Sequence, residues 1–196
     1  MIIDRISGYF IQNNLIEEDE LPMFRYCVEK RIFSAIAFIP LFILGIIWTN
    51  IVTTISFLGA FSYLRSTTNG FHANKAGTCF FFSILIEFII FRFVIAILTP
   101  RIILVSLILS LVTIFFLAPY NHPNMALTCD EIRACRVLSR KRAIILLLAF
   151  FISNILALTD VAIGLFLGIA LVSVLLCLAY ISNWEEIICL TKKRHT

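Results

Sequence analysis

The chain alternates long uncharged apolar runs with short polar breaks. Its first uncharged stretch covers residues 32–64. One helix of that length would be about 50 Å long, against roughly 30 Å for the hydrocarbon core of a bilayer. The stretch is therefore predicted as two short spans that join near residues 48–50, with a partly re-entrant hairpin as the alternative. The pattern predicts six transmembrane or re-entrant helices, at about 32–48, 51–64, 79–99, 102–118, 143–158 and 161–182.

The first 31 residues are more polar than the rest. At about 100° per residue, the apolar side chains of residues 2–10 fall on one arc of a helix, which predicts a short amphipathic helix in the membrane interface. Four acidic residues at 17–20 indicate a solvated loop. Pro22 is suited to the first turn of a second short helix that ends near Arg31. No strand pattern is strong, so the fold class is an all-α membrane protein.

Composition supports a membrane protein and excludes other classes. Apolar residues make up 61% of the chain and charged residues 14%, whereas soluble domains are nearer half apolar and a quarter charged. The net charge of +4 comes without a basic face carrying interleaved aromatics, so nucleic-acid binding is not expected. Cys129 and Cys135 lack a standard zinc spacing, and neither a metal nor a cofactor is predicted.

The basic residues predict an orientation. Fourteen of the 16 Lys and Arg residues lie in residues 1–31, 65–78, 119–142 and the C-terminal tail. Basic loops stay in the cytoplasm, so both termini and both longer loops are predicted to be cytoplasmic. We expect one multi-pass domain over 1–196 in the cell membrane, made up of the amphipathic region 1–31, the loop 65–79, the basic cytoplasmic loop 119–142 and the spans.

One pair of residues could carry covalent chemistry. His72 and Cys79 are seven residues apart on the predicted cytoplasmic side. In a regular helix they would be about 10 Å apart along the axis, too far for proton transfer, so the chain must fold back between them. Gly70 and Gly77 lie where such a bend can form. Cys79 would then start the third span, where a helix N-terminus favours a thiolate.

The residues around this pair resemble a known family. Arg65, Gly70, His72, Ala73 and Cys79 match the pattern of the AgrB family, the accessory gene regulator membrane peptidases of Gram-positive quorum sensing. That pattern is an Arg, then Gly-Gly-x-His-Ala, then a Cys seven residues after the His. Asn69 stands in place of the first glycine. A later stretch is also similar to the family, and it contains Ala118-Pro119, Pro123-Asn124 and a basic helix with Glu131, Arg133 and Arg136.

The resemblance implies a cysteine endopeptidase with its active site facing the cytoplasm. Cys79 would be the nucleophile and His72 the general base and then acid. An AgrD-like precursor peptide would be cut through an acyl-enzyme on Cys79, and the retained part would be cyclised to a thiolactone or lactone autoinducing peptide. A homodimer is implied as well.

Further residues are candidates for supporting roles. Arg65 could position a substrate carbonyl or carboxylate, or simply anchor the topology. Gly70 could make the bend, and Ser83 could donate a hydrogen bond to an oxyanion or thiolate, or bond back within its own helix. Glu87, inside the third span, could orient His72 or be a structural carboxyl group.

The basic loop has two interpretations. It could contact the acidic tail of the precursor, or only fix topology and bind the anionic lipid bilayer. The residues concerned are Arg133, Arg136, Arg140 and Lys141. The alternative function for the whole chain is a small transporter or immunity-type membrane protein without covalent chemistry. A purely structural membrane protein is a third possibility.

Overall fold

A computed structural model describes the backbone of residues 9–10, 21–68, 76–120 and 128–193. Side chains are described for 38–68, 81–120 and 128–181. They are also described for Tyr9, Phe10, Leu21, Phe24 and Val28. In these ranges the regular structure is entirely helical, which confirms the predicted class. The six long helices are α1 (Leu21–Trp48), α2 (Ile51–Thr68), α3 (Ala76–Ile97), α4 (Pro100–Leu117), α5 (Cys129–Ile155) and α6 (Thr159–Lys193).

The turns between the described helices lie close to their predicted positions, whereas the starts of some helices differ from the prediction. α1 is one helix of 28 residues in place of a short polar helix followed by a separate span. A helix can continue across a change from polar to apolar residues. The beginning of the uncharged stretch at residue 32 therefore does not interrupt α1. Residues 129–142, predicted as part of a cytoplasmic loop that carries a basic helix, are the first half of α5. α3 contains a π-helical segment, Ile90–Val94.

Two compact units divide the chain, one at Met1–Ile43 and one at Leu44–Thr196. Within the first unit, the Phe10 ring packs against the Phe24 ring at 4.8 Å between centroids. The predicted amphipathic helix otherwise lies outside the described residues. The second unit contains the helices that matter for the candidate site.

α6 is the central helix of the second unit, where it packs against α2, α4 and α5. Its closest neighbour is α2, because two glycines leave room for the α2 backbone. A Cβ atom on Gly164 would come within 2.6 Å of the Thr53 carbonyl oxygen, and one on Gly168 within 2.7 Å of the Ala60 Cβ. This Gly-x-x-x-Gly pair is typical of helix packing in membranes, where close van der Waals contact replaces the hydrophobic effect.

Among the described residues, two helices are long and apolar enough to cross a bilayer, Pro100–Leu117 and Thr159–Ile181, and Phe38–Trp48 is a shorter apolar stretch. α4 has a mean hydropathy of 2.4, yet only 17% of it is buried inside the protein. Its outward side chains include Phe116, which is 80% exposed. An apolar surface of this extent is unfavourable in water, so α4 needs a lipid environment.

Candidate active site

Four helix segments of the second unit meet at one end, which we call the basic end. It consists of the last turns of α2 and α4, residues 139–143 of α5 and residues 176–181 of α6. The backbone N–H of Tyr120 donates to the Thr68 carbonyl oxygen at 3.0 Å. Tyr180 donates its hydroxyl to the Leu117 carbonyl oxygen at 2.9 Å. α2, α4 and α6 therefore point the same way, and α5 runs opposite to them.

α3 makes two ring contacts with the helices that precede it. Phe88 packs edge-on against Trp48 of α1 at 4.9 Å between centroids. Phe91 packs edge-on against Phe57 at 5.1 Å between centroids.

Of the two predicted catalytic residues, the structure describes the backbone of Cys79 and not His72. Cys79 is the fourth residue of α3, which begins at Ala76. The prediction that it lies at the start of the third helix is confirmed. His72 and Gly70 lie outside the described residues, within the seven-residue segment that connects Thr68 to Ala76. Whether His72 meets Cys79 stays a prediction.

The supporting candidates lie on α2 and α3. Arg65 is half-buried in the last turns of α2, and Ser83 is half-buried one turn after Cys79. Glu87 is only 2% exposed, and neither of its carboxyl oxygens has a hydrogen-bond partner among the described residues. A buried polar group left unsatisfied costs about 1–3 kcal/mol, so the absence of a partner for Glu87 needs an explanation.

The cations of α5 fall into two groups that the sequence does not distinguish. Arg140 donates from Nε and from a terminal nitrogen to the Phe115 carbonyl oxygen, at 3.3 and 2.9 Å. Arg142 donates to the Tyr63 carbonyl oxygen at 2.6 Å and to the Ser66 hydroxyl. These two arginines are bound to helix ends, where cations are favourable. These bonds give Arg140 a structural role, and the prediction that it contacts the substrate stays a prediction.

The remaining α5 cations face outward. Arg133 makes one long ion pair with Asp130, at 3.9 Å, and both side chains are more than 80% exposed. Together with Lys141, Val137 and Leu138, these two residues line an open concavity of about 480 Å³. Arg136 is also exposed. This surface combines positive charge with exposed apolar side chains.

The first turn of α5 is held by a capping box. The Glu131 backbone N–H donates to the Thr128 hydroxyl, and the Thr128 backbone N–H donates to a Glu131 carboxyl oxygen at 2.8 Å. The Thr128 hydroxyl also donates to that carboxyl oxygen at 2.8 Å, and the two hydrogen bonds that the carboxyl group accepts from Thr128 hold the pKa of Glu131 below its ordinary value. Thr128 followed by Glu131 is a sequence signal for a helix start.

Comparison with known proteins decides the family. The model of the family Accessory gene regulator B, AgrB, matches residues 3–182, which is nearly the whole chain. This chain belongs to the AgrB family. No curated protein and no solved structure matches it significantly. Membership assigns this AgrB protein to a membrane, to the processing of a quorum-sensing autoinducer and to an AgrD-like precursor as substrate.

The described residues of this AgrB protein offer few groups for metal binding or covalent chemistry. No group of three His, Cys, Asp or Glu side chains in the described ranges could hold a metal ion. Cys129, Cys135 and Cys177 are free thiols. The bonds of Arg142 and the Gly164–Gly168 contact were not predicted from the sequence. The glycines could have been found from their spacing. Arg142 carried no local signal, because its partners lie more than 75 residues earlier.

Proposed function

We propose that this AgrB protein is a membrane cysteine endopeptidase that cleaves an AgrD-like precursor and cyclises the part it keeps. The observation that supports the proposal is the position of Cys79 in the first turn of α3. The segment that would hold His72 lies between the last residue of α2 and that turn in the sequence. Family membership over residues 3–182 supplies the substrate class.

The chemistry follows from a thiol at a helix start with a histidine nearby. The unpaired N–H groups of the first helical turn favour an anion, so they stabilise the Cys79 thiolate once His72 has taken the proton. The thiolate attacks a peptide carbonyl carbon. The C–N bond breaks as His72 returns the proton to the leaving amine, and a thioester on Cys79 remains.

The second half of the reaction closes the ring. A thiol or hydroxyl within the retained peptide loses its proton to His72 and attacks the thioester carbonyl. The bond to the Cys79 sulfur breaks, and that sulfur regains the proton. The product is a thiolactone or lactone, and no water is consumed. Water would hydrolyse the thioester instead of allowing ring closure, so the site must exclude it.

We propose a multi-pass arrangement with the basic end in the cytoplasm. Arg140, Lys141 and Arg142 of α5 lie at the basic end with Arg65 of α2. Arg101 stands at the start of α4, at the opposite end. Loops rich in Lys and Arg remain on the cytoplasmic side. The arrangement of α2, α4, α5 and α6 is compatible with this orientation. The homodimer remains a prediction of the family resemblance.

The outward surface of α5 is the proposed contact for the acidic tail of the precursor. It includes Arg133, Arg136 and Lys141, and Arg140 is left out because it is bound to α4. Arg133 lies about 10 Å beyond Arg140 along the helix, away from the level where α2 and α4 end. A headgroup layer is about 5–8 Å thick. Arg133 is therefore better placed for an aqueous acidic segment than for lipid headgroups.

Roles at the reacting centre are proposed for four further residues. Arg65 would position a substrate carbonyl, and Gly70 would allow the turn before His72. Ser83 would donate to the oxyanion or thiolate. Glu87 is two turns from Cys79 on the same helix, and its partnerless carboxyl group would bond to a group from the connecting segment or the substrate.

A cleavage assay tests the proposed function. The full chain is co-expressed with the candidate precursor encoded beside its gene, and the peptide mass is followed. Cys79→Ala and His72→Ala should abolish both cleavage and ring closure. Cys129→Ala is the matched control, because it removes an exposed thiol at the far end of α5. Normal cleavage by an inserted Cys79→Ala protein would overturn the proposal and favour a transporter or structural role.

A further inference from the structure

α3 is attached to the rest of the second unit through few side chains. Of its described side chains, only Glu87, Ile90 and Phe91 are buried. Phe91 packs against the Phe57 ring of α2, and its Cε2 atom would lie 3.1 Å from a Cβ on Gly45 of α1. Glu87 lies one turn before Phe91, and residues four apart share a helix face. The carboxyl group of Glu87 is therefore on the face of α3 that meets α1 and α2.

The hydroxyl groups near this meeting point are already bonded to helix ends. The Thr54 hydroxyl donates to the Asn50 carbonyl oxygen at 2.8 Å and lies 3.2 Å from the Thr49 hydroxyl. The Thr49 hydroxyl donates to the Gly45 carbonyl oxygen at 2.9 Å. Neither carboxyl oxygen of Glu87 has a hydrogen-bond partner in the ranges that the structure describes. This part of the protein therefore buries a carboxyl group without giving it a donor.

A buried carboxyl group without a donor calls for a functional reason. Ionisable residues inside a membrane protein are costly, and they commonly mark a functional site. Arg92, the only cation in the sequence of α3, is exposed and does not bond to Glu87. The π-helical segment Ile90–Val94 begins three residues after Glu87, and such segments are frequent at functional sites. The cost is offset when a molecule with hydrogen-bond donors reaches the carboxyl group.

We propose that Glu87 binds main-chain N–H groups of the precursor, on the N-terminal side of the bond that is cleaved. This inference rests on the proposed function. A peptide segment that is extended for cleavage leaves its N–H groups without partners, and an apolar site offers no water to bind them. A carboxyl group accepts an N–H in either of its protonation states. The buried acceptor and the unpaired donors therefore complement each other.

The spacing along α3 places the contact about four residues from the cleaved bond. Glu87 follows Cys79 by eight residues, which is about 12 Å along the helix at 1.5 Å per residue. An extended peptide covers that distance in about four residues. The part of the precursor after the cleaved bond is assigned above to the exposed cations of α5. The buried Glu87 is therefore left to the retained part, before the bond.

Glu87 becomes accessible to a peptide when α3 moves relative to α1 and α2. The rings of Phe88 and Phe91 connect α3 to these helices, whereas α2 and α6 are in backbone contact at Gly164. Many side chains of α3 are largely exposed, including Phe81 at 66%. A displacement of α3 therefore disrupts fewer close contacts than a displacement of α2 from α6.

A chemical double-mutant cycle tests the contact. The precursor is synthesised with its native main chain and with an N-methyl group placed on one residue at a time before the cleaved bond. Each methyl group removes one N–H donor. Binding of the fluorescently labelled peptides is measured in lipid nanodiscs to the full chain with Cys79→Ala, so that no cleavage occurs. One methyl group, about four residues from the bond, should weaken binding by about 10-fold.

The matched variants decide whether Glu87 is the acceptor. In Glu87→Leu the same methyl group should have no effect, because the acceptor is already absent. Glu87→Gln keeps one acceptor oxygen and should retain part of the effect. Asp160→Asn, which removes an exposed carboxyl group at the start of α6, should retain all of it. An equal effect of the methyl group in wild type and in Glu87→Leu would overturn the inference, because the N–H would then bond elsewhere.

Failure of the proposed function would give a different pattern. In that case the chain that retains Cys79 would not cleave the native peptide, and the Cys79→Ala chain would not bind it saturably. Normal cleavage and binding, with methyl groups that act alike in wild type and in Glu87→Leu, would instead reject the role of Glu87 alone.

Discussion

The middle of the second unit and its basic end are held together by opposite means. Between α2 and α6, glycines and small side chains bring two backbones into contact, with Gly164 and Gly168 against Thr53 and Ala60. At the basic end, arginines and tyrosines bond to the carbonyl groups of helix ends. Dispersion attraction is a sum of many small contacts that all depend on close packing. The hydrogen bonds of the basic end can be lost one at a time. The α2–α6 packing therefore depends on the first region, and the positions of the ends of α2 and α4 depend on the second.

The largest expected effect is the loss of stability when the contact between α2 and α6 is disrupted. Gly164→Ala adds a Cβ that would come within 2.6 Å of both the Ser56 Cβ and the Thr53 carbonyl oxygen. Overpacking of this kind costs typically 1–3 kcal/mol, and the backbone atom cannot move aside. Unfolding of the purified protein in mixed micelles, followed by circular dichroism, should show that loss.

Gly59→Ala is the matched control for that substitution. It lies on α2, and a Cβ there meets nothing within 4 Å, so it should gain up to about 1 kcal/mol from helix propensity. Equal losses in the two variants would show that glycine is needed for some reason other than the α2–α6 contact.

The next effect concerns Glu87, which belongs neither to the α2–α6 contact nor to the hydrogen bonds of the basic end. Glu87→Leu removes a buried carboxyl group without a described partner, and should stabilise the fold by about 1–3 kcal/mol. If the carboxyl serves the reaction, the same variant should lose most of its cleavage. Unfolding and cleavage are measured on one preparation, with Glu87→Gln as the isosteric variant. Loss of both stability and cleavage would indicate a structural bond instead.

A smaller effect separates the two groups of α5 cations. Arg140→Gln should lower the free energy of unfolding by about 1 kcal/mol, at the low end for a charged hydrogen bond because the site is exposed. Its KM for the precursor should change little. Arg133→Gln should do the reverse, raising KM by a few-fold with a weaker dependence on salt.

The lipid interpretation of these charges is tested by the same KM measurements. They are repeated in nanodiscs of neutral lipid and of lipid containing phosphatidylglycerol. A rise in KM for Arg133→Gln that appears only with the anionic lipid would contradict the tail contact.

The sequence reveals local features well and remote ones poorly. The turn near residues 49–50 was predictable because the uncharged stretch 32–64 is too long for one span. The turns near residues 98–99 and 156–158 were predictable because proline or charge interrupts the apolar runs there. The start of Cys79's helix was predictable for the same reason. The helix at 129–142 and the Gly164–Gly168 contact had readable signals, a capping box and a glycine spacing. The bond from Arg142 to Tyr63 joins residues 79 positions apart, and no local pattern encodes such a pairing.

The smallest effect is a pH dependence at the start of α5, which carries the outward cations. The pKa of Glu131 is lowered in the folded protein by its hydrogen bonds from Thr128. A carboxyl with a depressed pKa stabilises the fold above its unfolded value of about 4.5, and that contribution is lost as pH falls through the folded value. Acid should therefore loosen the first turn of α5 and leave the apolar half of the helix intact.

Hydrogen exchange of the amides near residues 129–134 measures this loosening between pH 6 and pH 3, after correction for the intrinsic rates. Thr128→Ala should loosen the same amides at every pH and remove most of the pH dependence, because it eliminates the hydroxyl partner of the box. Glu131→Gln should remove the pH dependence while keeping part of the protection, since an amide oxygen still accepts the Thr128 N–H. A pH dependence that survives in Glu131→Gln would have to come from Asp130, the other carboxyl group of that turn.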